Sequence, residues 1–263
     1  SKTQDPDGAD HVRCFGVNRN VAEGIQHTVS KLEQLTPKPD PVKLSQRSRG
    51  ADMSEEMGIF ETIYNCRAMR RLDRREVPQA MLEKLIEAAN QAPSGSNTQN
   101  ARWIVVRDPG VKAKLAELNR KGVENYLAPL IDNPGSLPHQ SADKRRRMAD
   151  AVVWQKEHMH EIPALIIACM QFASKPTPAM VASGNGSIWP GIQNLLLAAR
   201  ALQLGAAPTT LALIDQQAAA DVLALPETMA TYCLIPVGYP LGNFGPVTRK
   251  PLSEILRYDQ WSD

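Results

Sequence analysis

No stretch of the 263 residues holds the roughly 18 consecutive apolar positions that crossing a bilayer requires. The polar N-terminus also lacks anything like the apolar core of a secretory leader. The expectation is a cytoplasmic chain with no membrane partner. Cysteine is scarce: Cys14, Cys66, Cys169 and Cys233 lie far apart and form no CxxC pair, which argues against a disulfide framework or zinc site and for reduced thiols. No charge sign dominates. The 30 basic and 28 acidic residues leave a net +2, too little for a global field that would draw nucleic acid. The chain has no HExxH and shows no Ser–His–Asp constellation. His158 and His160 stand two apart, off a common helical face, and make a poor metal pair.

What is present is enough apolar residue, 43%, to bury a large core. Residues 1–53 differ from the rest, mixing Gly, Asp, Asn, Pro and charge with little periodicity. Thr36-Pro37-Lys38-Pro39-Asp40-Pro41 cannot be helical, so this part reads as an extended arm with one short helix over 21–35. Met53-Ser54-Glu55-Glu56-Met57 resembles a translation start, which leaves the arm either lineage-specific or an upstream extension. From 54 to 263 a single domain is expected. Its first helix would be capped by Ser54, run over 57–64 and carry Ile59, Phe60 and Ile63 on one face. A second helix would open at Val77-Pro78 and stop at Ala92-Pro93-Ser94-Gly95. Strands are expected at 102–107, 164–170 and 231–238, and helices at 111–126, 142–161, 187–204 and 215–225. Residues 127–142 and 174–186 read as loops, with Pro190 in the first turn of the most apolar helix. Helices and strands intersperse without strict βαβ alternation, which implies an α+β fold with a central sheet and a buried helix.

Four clusters can carry chemistry. Arg67 and Arg70, three apart at a helix end, can present two planar guanidiniums to a phosphate, or can simply be a solvated basic terminus. Pro93, Ser94, Gly95, Asn97 and Gln99 combine small residues, which let backbone approach a flat ligand, with mixed donors and acceptors suited to a flavin's polar edge, or are simply a helix stop followed by a polar loop. Pro208, Thr209 and Thr210 follow the long helix and can pass backbone and hydroxyls along such a ring, or are an ordinary helix-to-strand turn; Arg249, in a tail rich in Pro and Gly, can complete a phosphate clamp or is a surface charge. Apart from these four, Arg145, Arg146 and Arg147 read as a solvated helix face or an anion-attracting patch.

In order and spacing these clusters resemble the nitroreductase family of flavoproteins. Cys66-Arg67-Ala68-Met69-Arg70-Arg71-Leu72-Asp73 is similar to its R-R-S-x-R-x-F motif followed by Asp. The stretch from Ala92 to Trp103 is similar to A-P-S-x-x-N-x-Q-P-W. Gln193 to Ala199 with Gln203-Leu204-Gly205 follows its Q-N-x-L-L-A-A helix and G-L-G. Gly238-Tyr239-Pro240, Arg249-Lys250-Pro251-Leu252 and Trp261 follow its C-terminal pattern. The resemblance spans 54–261. It implies a three-layer sandwich with a mainly antiparallel central sheet flanked by helices, a homodimer, and a C-terminal tail wrapping the partner subunit. It also implies FMN held through Arg67, Ala68, Met69, Arg70 and Arg249 at the phosphate. Pro93, Ser94, Gly95, Asn97 and Gln99 would come from the other subunit, and Pro208, Thr209 and Thr210 would lie beside the ring. NAD(P)H would supply electrons to a small organic acceptor by a ping-pong route, with flavin N5 rather than a side chain carrying the chemistry. Tyr126, Trp154 and Lys156 would face the substrate, although Trp154 and Tyr126 also suit a helix core. The departures are Cys66 for the first arginine, Ala68 for serine, Leu72 for the aromatic and a shifted Trp103. A halotyrosine-type reductive dehalogenase within the family resembles a lid with Glu four residues before Tyr. Here Gly122 holds that place and Glu124 lies nearby. Flavin-fragmenting or cyclodehydrating oxidase chemistry on the same scaffold, or flavin binding without turnover, are the remaining readings.

Overall fold

The computed structural model describes residues 57–132 and 141–261, with backbone alone over 127–132. The expected arm, the Ser54 cap and Cys14 lie outside the described residues. In chain order the helices are α1 (Ile59–Asn65), α2 (Gln79–Asn90), α3 (Pro109–Asp132), α4 (Ala142–His158), α5 (Pro178–Ala201), α6 (Gln216–Val222) and α7 (Leu252–Ile255). The strands are β1 (Ala101–Val106), β2 (Ala164–Gln171), β3 (Gly205–Ala206) and β4 (Met229–Gly238). They form one sheet in the order β1-β2-β4-β3 with every neighbouring pair antiparallel.

Strand β2 explains the layering. Successive side chains of a strand point to opposite faces, and here both faces are apolar. Ala164, Ile166, Ala168 and Met170 pack with Leu82 and Leu85 of α2 and Ile188, Ile192 and Leu195 of α5. Leu165, Ile167 and Cys169 pack with Leu115 of α3, Met159 and Ala212. A sheet buried on both faces between helices is the expected α+β sandwich of three layers. Among the described residues no helix is long and apolar enough to cross a membrane.

Several boundaries differ from the sequence reading. Helix α1 begins at Ile59 behind Gly58, without a side-chain cap. Pro78 serves as the N-cap of α2 rather than as its first turn. Helix α3 runs through Pro129 to Asp132, so 127–132 is not loop; the proline falls in the final turn, where it leaves the carbonyl four residues back without its helical donor but has little helix beyond it to disrupt. Helix α5 begins nine residues before Ser187. Thr177 accepts from Met180 N at 3.3 Å and Pro178 takes the first position, so Pro190 lies inside the helix. Gly184, read as a loop residue, is instead a packing residue. A Cβ there would fall 2.2 Å from the Tyr232 hydroxyl, which donates to Val181 O at 2.8 Å.

Cys169 and Cys233 are fully buried, and desolvation pushes both thiols up to about 12. The unfolded chain ionises them near 9.0. Their contribution to stability is therefore complete below pH 9 and declines as the pH rises toward 12. The denaturant midpoint should fall across that window, and neither thiol should react with a thiol reagent at about pH 8 until the protein unfolds. Modification of either one in the native protein contradicts this.

Candidate functional site

The basic cluster is not on a helix. Helix α1 ends at Asn65, and Cys66 turns the chain into extended backbone. Met69 N donates to Ala206 O of β3 at 3.0 Å, Leu241 N to Arg71 O at 3.0 Å and Asp73 N to Tyr239 O at 2.7 Å, while Leu72 bridges to Pro240. Residues 66–73 thus form an extended strip held between β3 and the start of the tail. Met69 and Leu72 are its buried anchors, and Leu72 fills a site where an aromatic was expected. Arg67 and Ala68 are exposed and Arg70 is half-buried.

The tail returns over this strip. Val247 N donates to Tyr64 O at 3.2 Å, two residues before Arg249. Lys144 Nζ, at the start of α4, donates to Thr248 Oγ1 at 3.2 Å. Among the described residues Arg249 Nη1 donates to its neighbour's carbonyl, Thr248 O, at 3.1 Å. Among the described residues no carboxylate pairs with Arg67, Arg70 or Arg249. Burial lowers the pKa of Arg70, with Tyr126 opposing the shift. A partly buried guanidinium without an acceptor is costly, and an anion is the group that would relieve it. This donor set suits a phosphate.

Pro208, Thr209 and Thr210 follow β3. Thr209 N donates to Leu234 O at 2.8 Å and Leu234 N returns to Thr209 O at 2.9 Å, so the segment is fastened to the centre of β4. The Thr209 side chain accepts from Leu211 N at 3.2 Å, and Thr210 stays exposed. The basic strip, the 208–210 segment and the tail therefore gather around β3.

The 93–99 cluster sits elsewhere on the same subunit. Gly95 N donates to Ser187 Oγ on α5 at 3.0 Å, and Gln99 N to Ser94 Oγ at 3.1 Å. Gln99 Nε2 meets Asn97 Oδ1 at 3.3 Å. Ser96, Asn97 and Gln99 all have positive φ, near 50°. Three non-glycine residues in that region within four positions mark a loop held against its local preference. Cys66 bonds Leu196 O of α5 at 3.6 Å, nine residues beyond Ser187 and about 13 Å along the helix axis. One subunit thus separates the two clusters along α5.

The substrate candidates lie on α3 and α4. Lys156 Nζ stands 3.8 Å from Glu124 Oε1 and 2.9 Å from Glu157 Oε1. Arg120 also holds Glu124, at 2.8 Å. Tyr126 is exposed, not core. Trp154 is partly buried and stacks on His158 with ring centres 4.3 Å apart and planes within 5°. Trp103 lies on β1 opposite Ala168, and its ring packs over Gly191. A cavity of about 560 Å³ lined by Lys175, Pro178, Val181, Gln216 and Thr231 shares no residue with these clusters. Its lysine, Lys175, stands 3.7 Å from Glu227, and Thr231 and Gln216 bond one another at 2.8 Å, so it offers no such set of unpaired cations. Sequence reasoning passed over Ser187, which ties down the 93–99 loop; only a helix starting at Thr177 would have shown it to be mid-helix.

Comparison with known proteins agrees with this architecture. An iodotyrosine deiodinase of Thermotoga neapolitana is 25% identical over 202 residues, covering 76% of this chain and 97% of that one. An NADH dehydrogenase of Thermus thermophilus is 28% identical over 201 residues, 72% and 90% of the two chains. A crystal structure of oxidised iodotyrosine deiodinase with FMN and 3-iodo-L-tyrosine shares the fold, at TM-score 0.60 and 22% identity over 78% of this chain and 100% of that one. Residues 63–239 match the nitroreductase family over most of the described sheet and its helices, and the chain belongs to that family.

Proposed function

We propose that the protein is a homodimeric FMN oxidoreductase that takes electrons from NAD(P)H and passes them to a small organic acceptor such as a nitroaromatic or quinone, by a ping-pong mechanism. The observation that carries the reading is three arginines with no carboxylate partner among the described residues, on segments that the β3 junction joins from both ends of the domain. When bound, FMN would supply the hydride chemistry. The protein's part is positional. Arg67, Arg70 and Arg249 hold the phosphate through charge-assisted bonds, with the backbone of Ala68 and Met69 alongside. Pro208, Thr209 and Thr210, fastened to β4, form a rigid edge along the ring, and fixed dipoles there favour negative charge. The partner's copy of the 93–99 loop closes the other side, with its exposed Asn97 and Gln99 toward the polar edge. This accounts for the separation of the two clusters within one subunit. Exposed Ile59, Phe60 and Tyr64 on α1, and Leu252, Tyr258 and Trp261 in the tail, are apolar surface that a second copy would cover. That is the support for a dimer with a wrapping tail.

A second reading, reductive dehalogenation of a halogenated aromatic, draws on the Glu124–Lys156 contact. The carboxylate that Gly122 cannot supply is present two residues on and meets the lysine. One experiment separates the readings. The purified protein should be yellow, and its reduced flavin should be reoxidised anaerobically by a nitroaromatic or quinone. Reoxidation by halotyrosine alone, with halide release, favours the second reading. A yellow protein that no acceptor reoxidises is a flavin binder without turnover.

A further inference from the structure

Arg200 stands in the last turn of α5 and is only 8% exposed. A guanidinium buried so deeply ordinarily meets a carboxylate. Among the described residues this one does not. Its Nη1 donates to Gln203 Oε1 at 3.2 Å, the Phe244 ring lies 4.1 Å from its Cζ, and its Nε has no acceptor. Glu61 acts on it only through space. Burial lowers its pKa, while Glu61 and the neighbouring Cys66 oppose the shift.

The surroundings give this cation a use. The basic strip crosses the end of α5, bonded at Cys66 to Leu196 O, one turn before Arg200, and at Met69 to Ala206 O, just beyond the helix. Arg67 and Ala68 therefore pass over the turn that carries Arg200. From the other side, Phe244 covers the guanidinium three residues before Val247 bonds Tyr64 O, and Arg249 follows. Three elements meet on one buried charge. The strip itself lacks a cation at its first position, where Cys66 stands in place of the arginine of the resembled motif.

We propose that Arg200 is a member of the phosphate site, supplying from beneath, on the helix, the positive charge that position 66 does not. The proposal rests on the FMN reading above. The free Nε is a donor still to be satisfied, and the low-dielectric setting under Phe244 makes the charge felt more strongly than an exposed lysine or arginine would be. Gln203 and Phe244 hold the guanidinium in place.

The test compares two flavins that differ only in phosphate, FMN and riboflavin, titrated into the flavin-stripped full-length chain. In Arg200→Met and Arg200→Gln, FMN affinity should fall about thirtyfold, the weight of one charge-assisted contact. Riboflavin affinity should stay within about threefold. Arg200→Lys, which keeps the charge, should retain most of the FMN affinity. Should the methionine variant fail to fold, the glutamine and lysine variants carry the comparison. Equal weakening of both flavins would make Arg200 a structural wedge and overturn the proposal, as would unchanged FMN binding. A wild-type chain that takes up neither flavin refutes the underlying FMN reading instead.

Discussion

Replacing Arg67 and Arg249 together with alanine should yield a colourless protein. Each guanidinium is exposed and unpaired among the described carboxylates, so removing both should change the fold's stability by no more than about 0.5 kcal/mol. Each contact to a phosphate is charge-assisted and contributes about 1.5–3 kcal/mol. Losing two lowers FMN affinity by about 10²–10⁴-fold, enough to strip the cofactor during purification. The absorbance ratio of flavin to protein, followed by FMN titration, reads the outcome. A double variant that keeps its full yellow colour would place the phosphate elsewhere.

Gly122→Ala should be the most damaging single methyl addition in the described structure. A Cβ at this position would lie 2.2 Å from the Leu211 carbonyl oxygen and 2.8 Å from its carbon. Both are backbone atoms, so no side-chain rotation relieves the clash. Helix α3 or the 3₁₀ turn at Leu211–Leu213 must move, at a cost of about 3 kcal/mol. The displacement has a functional direction, because Leu211 N bonds Thr209 Oγ1 and Thr209 is laced to Leu234. The helix carrying Tyr126 and the segment proposed to line the flavin are thus braced against one another. The variant should show a lower denaturant midpoint and, at temperatures where it remains folded, a raised KM for the acceptor with FMN content near normal. An unchanged midpoint would mean that the helix and turn are not in rigid contact. The same geometry explains why a glutamate four residues before Tyr126 has no place here: its stem would point into Leu211 rather than toward a substrate.

Much of the fold was legible from periodicity. Residues 164–170 read as a buried strand and 231–238 as another, because an unbroken apolar run between breakers has few other readings. The errors cluster at prolines. Pro190 reads as a helix start because proline is common there, yet Thr177-Pro178 carries the same signal twelve residues earlier, and it is there that the helix begins. Glycine-rich 184–186 looked flexible, but the close approach of Tyr232 that makes Gly184 necessary comes from a residue 48 positions away. Pro129 ended a helix on paper and did not end it in the protein. The basic cluster was recognised by residue type and spacing, but its presentation on a helical face was wrong. The chain leaves the helix at Cys66, and extended pairing with Ala206 and Tyr239 decides where each guanidinium goes.

What the sequence determined by itself is the alternation that buries both faces of β2, the apolar length of α5, and the supply of arginines near both ends of the domain. These are local properties, written in the order of side chains along one element. What only the tertiary structure decided is which of the segments that carry those arginines meet. Arg67, Arg200 and Arg249 belong to a strip, a helix end and a tail that share no sequence period. The segments that carry them are drawn together because β3 pairs at once with β4 and with the strip, and because the tail bonds back to the strip and covers Arg200. Backbone hydrogen bonds between distant segments depend on the closure of the whole sheet, and no window of neighbouring residues contains that information.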